Sequence, residues 1–199
     1  MPLKALFLTL FTSLTLGATA WANDEIEELN PYDADIEETL QRFDAEYERA
    51  TGLPSHLEDD LMTPMQGGCY RETCYIWAHV NKASQTMNVY IEGRLTFSWA
   101  VSTGLRGRTP NFDTHPSGRV YDRYTSTKFP GGNYRGLGNM PYAVFIRGGF
   151  AIHGTPEGNW RHLGRPASHG CIRLHPDNGY AFNRLVRSVG ARRVWITVN

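Results

Sequence analysis

The stretch Ser168-His169-Gly170-Cys171-Ile172-Arg173 decides how the rest of this chain is read. A cysteine attacks as its thiolate, and a neighbouring imidazole lowers a thiol pKa readily. A second histidine, His153, follows a strand-like run upstream and is a candidate partner for Cys171. Gly170 lets the backbone turn sharply beside the sulfur, so the amides of Gly170 and Cys171 are candidate oxyanion donors. Together these residue types describe acyl transfer through a thioester.

Working outward, the flanking sequence reads as β-rich. Val89, Ile91, Leu95, Phe97 and Trp99 fall on either side of Glu92-Gly93, which predicts a hairpin over residues 86–102. Residues 144–146 and 150–152 flank Arg147-Gly148-Gly149 and predict a second hairpin, with His153 at its end. A helix is expected over 177–189, capped by Asp177 and stopped by Gly190, with Tyr180, Phe182, Leu185, Val186 and Val189 as apolar positions. Residues 194–198 close the chain as a strand. Residues 103–141, rich in Gly, Pro, Arg and Tyr without clean periodicity, read as a functional loop.

The N-terminus has the form of an export signal: Lys4, an apolar stretch over 6–16 and Ala20-Trp21-Ala22 as a cleavage site. That stretch is too short to span a bilayer, so no stable membrane insertion is expected after cleavage. Domains are therefore read as a signal over 1–22, an acidic helical segment over 23–66 and a catalytic domain over 67–199. The overall net charge of zero conceals a division. Positions 23–60 hold 14 acidic and 2 basic residues, whereas 61–199 hold 6 acidic and 17 basic. Ile36, Leu40, Phe43 and Tyr47 recur at helical spacing, started by Pro31 with Asp33 or Asp35 and ended by Gly52. Such a face docks on the basic domain, associates with a second copy, or belongs to a solvated tether. Scattered basic residues on an exported chain exclude nucleic acid as partner and favour an anionic wall polymer.

The three cysteines divide two plus one. Cys69 and Cys74 are close and exported together, which predicts a local disulfide and leaves Cys171 as the reactive thiol. His162 and His175 share no regular ligand spacing with Cys171 and His153, so no metal and no cofactor is expected.

Residues from about 75 to 198 resemble the L,D-transpeptidase catalytic domain family, the YkuD-like enzymes. The resemblance rests on the hairpin ending in Ala100-Val101-Ser102-Thr103-Gly104, on Met140-Pro141-Tyr142 with the strands to Ile152-His153-Gly154, and on the stretch from Leu163 to Leu174 around Ser168-His169-Gly170-Cys171. It implies a mainly β fold, a β-sandwich with a minor helix, here preceded by the amphipathic helix. It implies attack by Cys171 on a peptidoglycan tetrapeptide stem, release of D-alanine and formation of a 3-3 cross-link, with carbapenems as inhibitors. His153 would be the base, the carbonyl of Gly154 would orient it, and His169 would shape the turn. Arg173 would steady the loop or meet a substrate carboxylate, and Ser168, Trp160, Tyr142 and Tyr134 are further candidate substrate contacts. The chain departs from the family pattern after Thr109-Pro110, where Asn111-Phe112-Asp113-Thr114-His115-Pro116 precedes Ser117-Gly118 and reads as a loop insertion near the groove. Water as acceptor would make a carboxypeptidase or amidase, and a lipoprotein lysine would make an attachment enzyme; these alternatives share the acyl-enzyme. A non-catalytic wall-binding module is disfavoured by the intact His153 and Cys171.

Overall fold

Hydrophobic alternation and two tight turns build most of the frame. The structure, a computed structural model, describes residues 32–56, 68–125 and 132–199; the export signal, Pro31 and the end of the acidic segment lie outside these. The described chain runs through α1 (Ile36–Thr51), β1 (Ile76–Asn81), β2 (Thr86–Ile91), β3 (Arg94–Ala100), β4 (Phe112–Thr114), β5 (Val144–Arg147), β6 (Phe150–Gly154), β7 (Ile172–Leu174), α2 (Pro176–Val189) and β8 (Val194–Val198). Between β2 and β3, Glu92 and Gly93 take φ of 49° and 73°, the positive values a two-residue hairpin turn requires.

The strands form a five-stranded sheet in the order β3-β2-β1-β8-β4 and a three-stranded sheet in the order β5-β6-β7. β1 and β8 are parallel, as are β6 and β7, and the other pairs are antiparallel. One core joins the sheets: Ile76, Ala78, Val80, Met87 and Val89 meet Val144, Ile146, Ile152 and Ile172, with Phe182 and Val186 of α2. Each of these side chains larger than alanine is worth roughly 1.5–3 kcal/mol of burial. Among the described residues, two α-helices of 16 and 14 residues stand beside short strands, so the fold is mixed α/β and not mainly β. The reason is physical. The described residues of the 103–141 stretch yield one three-residue strand, and α2 is a packed layer whose Gly179 lies so close to β6 that a Cβ there would sit 2.8 Å from the Gly154 nitrogen.

Three further expectations are corrected. The residues after Thr109-Pro110 form an edge strand: β4 pairs with β8, Phe112 opposite Val198, because Phe112 has an apolar edge to fill. The α2 cap is His175, whose Nδ1 accepts from the Asp177 amide, since Pro176 at the first helical position moves the start back. Tyr180 faces outward, 48% exposed, against the ring of Tyr142.

α1 begins after Asp35, ends at Gly52 in the left-handed conformation, and docks on the domain that follows it. Its Ile36, Leu40, Phe43 and Tyr47 are buried with Tyr121, Tyr124, Met140, Ala143 and Phe145. The Phe43 and Tyr124 rings meet edge-on at 5.0 Å, as do Tyr47 and Tyr121 at 5.2 Å. Asp44 holds Arg119 at 3.1 Å and His56 at 3.0 Å. Among the described residues no helix is long and apolar enough to cross a membrane.

Candidate active site

The parallel pairing of β6 and β7 brings the two key residues to one face. Ile152 stands opposite Ile172, so His153 lies one residue beyond that pair and Cys171 one residue before it. Alternation then turns both away from the Ile152 and Ile172 side chains, as diagonal neighbours on adjacent strands. His153 is buried, and its Nδ1 donates to the carbonyl of Gly154 at 2.7 Å, which fixes the proton on Nδ1 and the lone pair on Nε2. Gly154 is itself held by its amide, which donates to the Pro141 carbonyl at 2.8 Å. The Cys171 thiol, also buried, donates to the Gly149 carbonyl at 3.4 Å.

The turn before Cys171 is braced from three sides. Ser168 Oγ donates to the Cys171 carbonyl at 2.5 Å and accepts from the Gly170 amide at 3.1 Å. The Ser168 backbone bonds to Thr103 and Leu105. Thr109 Oγ1 donates to the Gly170 carbonyl at 2.6 Å. Gly170 has φ of 156°, which L side chains rarely adopt, so a glycine is needed there. Because the Gly170 amide is turned into the loop, the expectation that it joins Cys171 in holding an oxyanion is corrected. The Cys171 amide belongs to the same trans peptide as the Gly170 carbonyl that Thr109 holds, so that bond also sets the direction of the amide.

The remaining expected residues divide. Arg173 is buried beside His153, and its Nη1 donates to the Ala167 carbonyl at 3.3 Å, inside the same loop. Ser168 is likewise a buried loop brace. His169 is exposed at the tip of the turn. Trp160 donates to the Thr155 carbonyl at 2.9 Å, and its ring packs on His175 at 4.4 Å. Tyr142 packs on Tyr180, and burial, then the nearby Tyr134, pushes its hydroxyl pKa up. His162 is held neutral-leaning by burial and then by Arg165, Arg161 and Arg173.

Cys69 and Cys74 are joined in a disulfide away from this site. With His115 they are the group of ligating side chains that converges among the described residues, within 4.8 Å; the histidines 153, 162 and 175 form no such group with Cys171. The site residues that sequence reasoning missed are Thr109, Gly149 and Tyr124. Thr109 carried a signal in Thr109-Pro110, but its hydroxyl was not read. Gly149 acts through its carbonyl, which any residue has. Tyr124 lies 3% exposed in a stretch without periodicity. Burial, then the neighbouring Cys171 and Asp44, raises its pKa well above that of an ordinary tyrosine.

Fold and loop thus define a β6-β7 site with a histidine-flanked, braced cysteine. Residues 75–196 match the YkuD family, the L,D-transpeptidase catalytic domain, and the chain belongs to that family. Among solved structures, LD transpeptidase LdtMt1 in complex with imipenem is 24% identical with a TM-score of 0.49, over 63% of this chain and 59% of that one. An L,D-transpeptidase from Mycobacterium smegmatis is 20% identical with a TM-score of 0.48, over 63% and 59%. One from Stackebrandtia nassauensis is 19% identical with a TM-score of 0.47, over 71% and 60%. The match therefore spans less than two thirds of those proteins' lengths. No curated protein matches this chain.

Proposed function

We propose that this chain is an exported L,D-transpeptidase that makes 3-3 cross-links in peptidoglycan. The observation that carries the reading is His153, its Nδ1 held by the Gly154 carbonyl, on the same face as Cys171 in a chain of this family.

The steps follow from those groups. Nε2 of His153 takes the thiol proton as Sγ of Cys171 attacks the carbonyl carbon of the third residue of a donor tetrapeptide, usually meso-diaminopimelate. The Cys171 amide meets the oxyanion of the tetrahedral intermediate, a contribution of about 3–4 kcal/mol for one donor in enzymes where it is removed. Collapse breaks the peptide bond, and the departing D-alanine amine takes the proton from His153. The side-chain amine of a second stem then attacks the thioester, gives its proton to His153, and leaves as the 3-3 linked product with the thiol restored. The export signal read over 1–22 and the cell-wall substrate agree with a periplasmic location.

The test is mass spectrometry of disaccharide-tetrapeptide muropeptides after incubation with the protein and with Cys171→Ala. Cysteine-dependent 3-3 dimers are expected. Tripeptide monomer alone would replace this reading by a carboxypeptidase, and tripeptide joined to a lysine peptide by a lipoprotein attachment enzyme.

A further inference from the structure

Cys171 is 1% exposed and His153 is wholly buried, so a stem peptide reaches the sulfur only when something now packed there moves. α1 packs into the apolar cluster that contains Cys171. The apolar cluster that holds Cys171 and Ala151 also holds Ile36, Leu40, Phe43 and Tyr47. Glu37 comes so near Gly148 that a Cβ there would lie 3.8 Å from its carboxylate, one residue from the Gly149 carbonyl that accepts the thiol proton. Tyr32, just before the helix, spans the other flank. Its ring packs on Phe150 at 5.4 Å, and its hydroxyl donates to the carbonyl of Arg108, the neighbour of Thr109, at 2.6 Å.

The charges on α1 are ordered as well. Arg119 lies beside β5, its carbonyl accepting from the Phe145 amide, and Phe145 faces the same cluster as Cys171. The Arg119 guanidinium donates to Asp44 at 3.1 Å and to Glu37 at 3.2 Å, both on α1. Tyr124 lies in the cluster that holds Cys171, and its ring meets Phe43 of α1 at 5.0 Å. A stem peptide is itself an anionic chain with free carboxylates along its length, and a guanidinium binds a carboxylate well.

We propose that the face beneath α1 is the donor-stem surface, that Arg119 binds a stem carboxylate there, and that α1 occupies it as an internal stand-in through Glu37 and Asp44. This rests on the peptidoglycan reading above. The resting chain is then self-competed, and its apparent affinity for stems is lowered by the fraction of molecules with α1 docked. Glu37, with its side chain 59% exposed, is the contact a stem displaces first.

The experiment uses the full chain and two readings. The first is the rate at which iodoacetamide alkylates Cys171, followed by intact mass, in wild type, in Leu40→Asp and in the milder Phe43→Ala. Near-UV circular dichroism checks that each variant is folded. At least about tenfold faster alkylation is expected for Leu40→Asp, with Phe43→Ala between it and wild type. The second is binding of a tetrapeptide stem in the Cys171→Ala background. Leu40→Asp should tighten it about tenfold, and adding Arg119→Gln should weaken it by about the same factor. Unchanged alkylation in folded Phe43→Ala and Leu40→Asp would overturn the proposal and leave the transpeptidase reading intact. Faster alkylation with stem binding that ignores Arg119 would overturn the carboxylate assignment. Faster alkylation with no stem binding in any variant would overturn the stem surface together with the transpeptidase reading.

Discussion

Thr109 Oγ1 donates to the carbonyl of Gly170 at 2.6 Å while accepting from the amide of Gly104 at 2.7 Å. One buried hydroxyl thus ties the loop after the first hairpin to the peptide that carries the Cys171 amide. That amide is useful to an oxyanion only if its direction is fixed before reaction. Thr109→Val keeps the shape and removes both bonds. It should lower kcat by roughly ten- to a hundredfold with KM little changed, and Thr109→Ser should restore most of the rate. Two buried backbone groups lose a partner, so a stability loss of about 1–3 kcal/mol accompanies it. A rise in KM at constant kcat would assign Thr109 to substrate binding.

The Gly154 carbonyl fixes the tautomer of His153, the base of the proposed mechanism. The strained ring of a carbapenem offers Cys171 a carbonyl to attack, opening the lactam C–N bond and acylating the sulfur, which isolates the first half of the proposed reaction. His153→Ala should slow that acylation by at least about a hundredfold, read as the mass increase of the intact protein against time. Acylation at the wild-type rate would mean that the Cys171 thiolate forms without the imidazole.

Much of this was legible in the sequence, and what was not has physical causes. Glu92-Gly93 and Arg147-Gly148-Gly149 are local turn signals, so both hairpins could be read. The four-residue apolar face of α1 and its docking on the basic domain were legible, but the receiving residues were not, because Tyr121, Tyr124 and Phe145 come together only through pairing of distant strands. β4 escaped because a three-residue edge strand has too few alternations to show a period. At the site, Cys171 and His153 announced themselves by residue type, whereas Thr109, Gly149 and Arg119 act through tertiary placement. The motif makes Ser168 a candidate substrate contact and Arg173 a loop brace or a substrate contact; in the structure both hydrogen-bond within the loop.

The Cys69–Cys74 disulfide closes a loop beside the first sheet, whereas Cys171 sits on the second. A loop this short restricts the unfolded chain modestly. Cys69→Ala with Cys74→Ala should lower stability by about 2 kcal/mol, seen as an earlier denaturation midpoint, with kcat within about twofold of wild type. A collapse of activity in a folded double variant would place the disulfide in the path to the site.

Asp113 on β4 gathers Arg71, Trp195, Thr197 and Tyr70 around one carboxylate, and so pins the segment before β1 to the edge of the first sheet. Arg71 is the main cause that holds its pKa well below the usual carboxylate range, against partial burial that pushes it up. The folded chain therefore binds this proton less readily than the unfolded chain, whose aspartate titrates near 4. The stabilisation is complete at neutral pH and is lost as pH falls below about 5 toward the folded value. Asp113 is partly exposed, so solvent screens part of it. Asp113→Asn should cost about 1–2 kcal/mol at pH 7, a fall in Tm of several degrees. The difference from wild type should shrink as thermal melts are repeated from pH 5 down to pH 2. A difference that stays constant across that range would show that the contacts of Asp113 act through shape and not through charge.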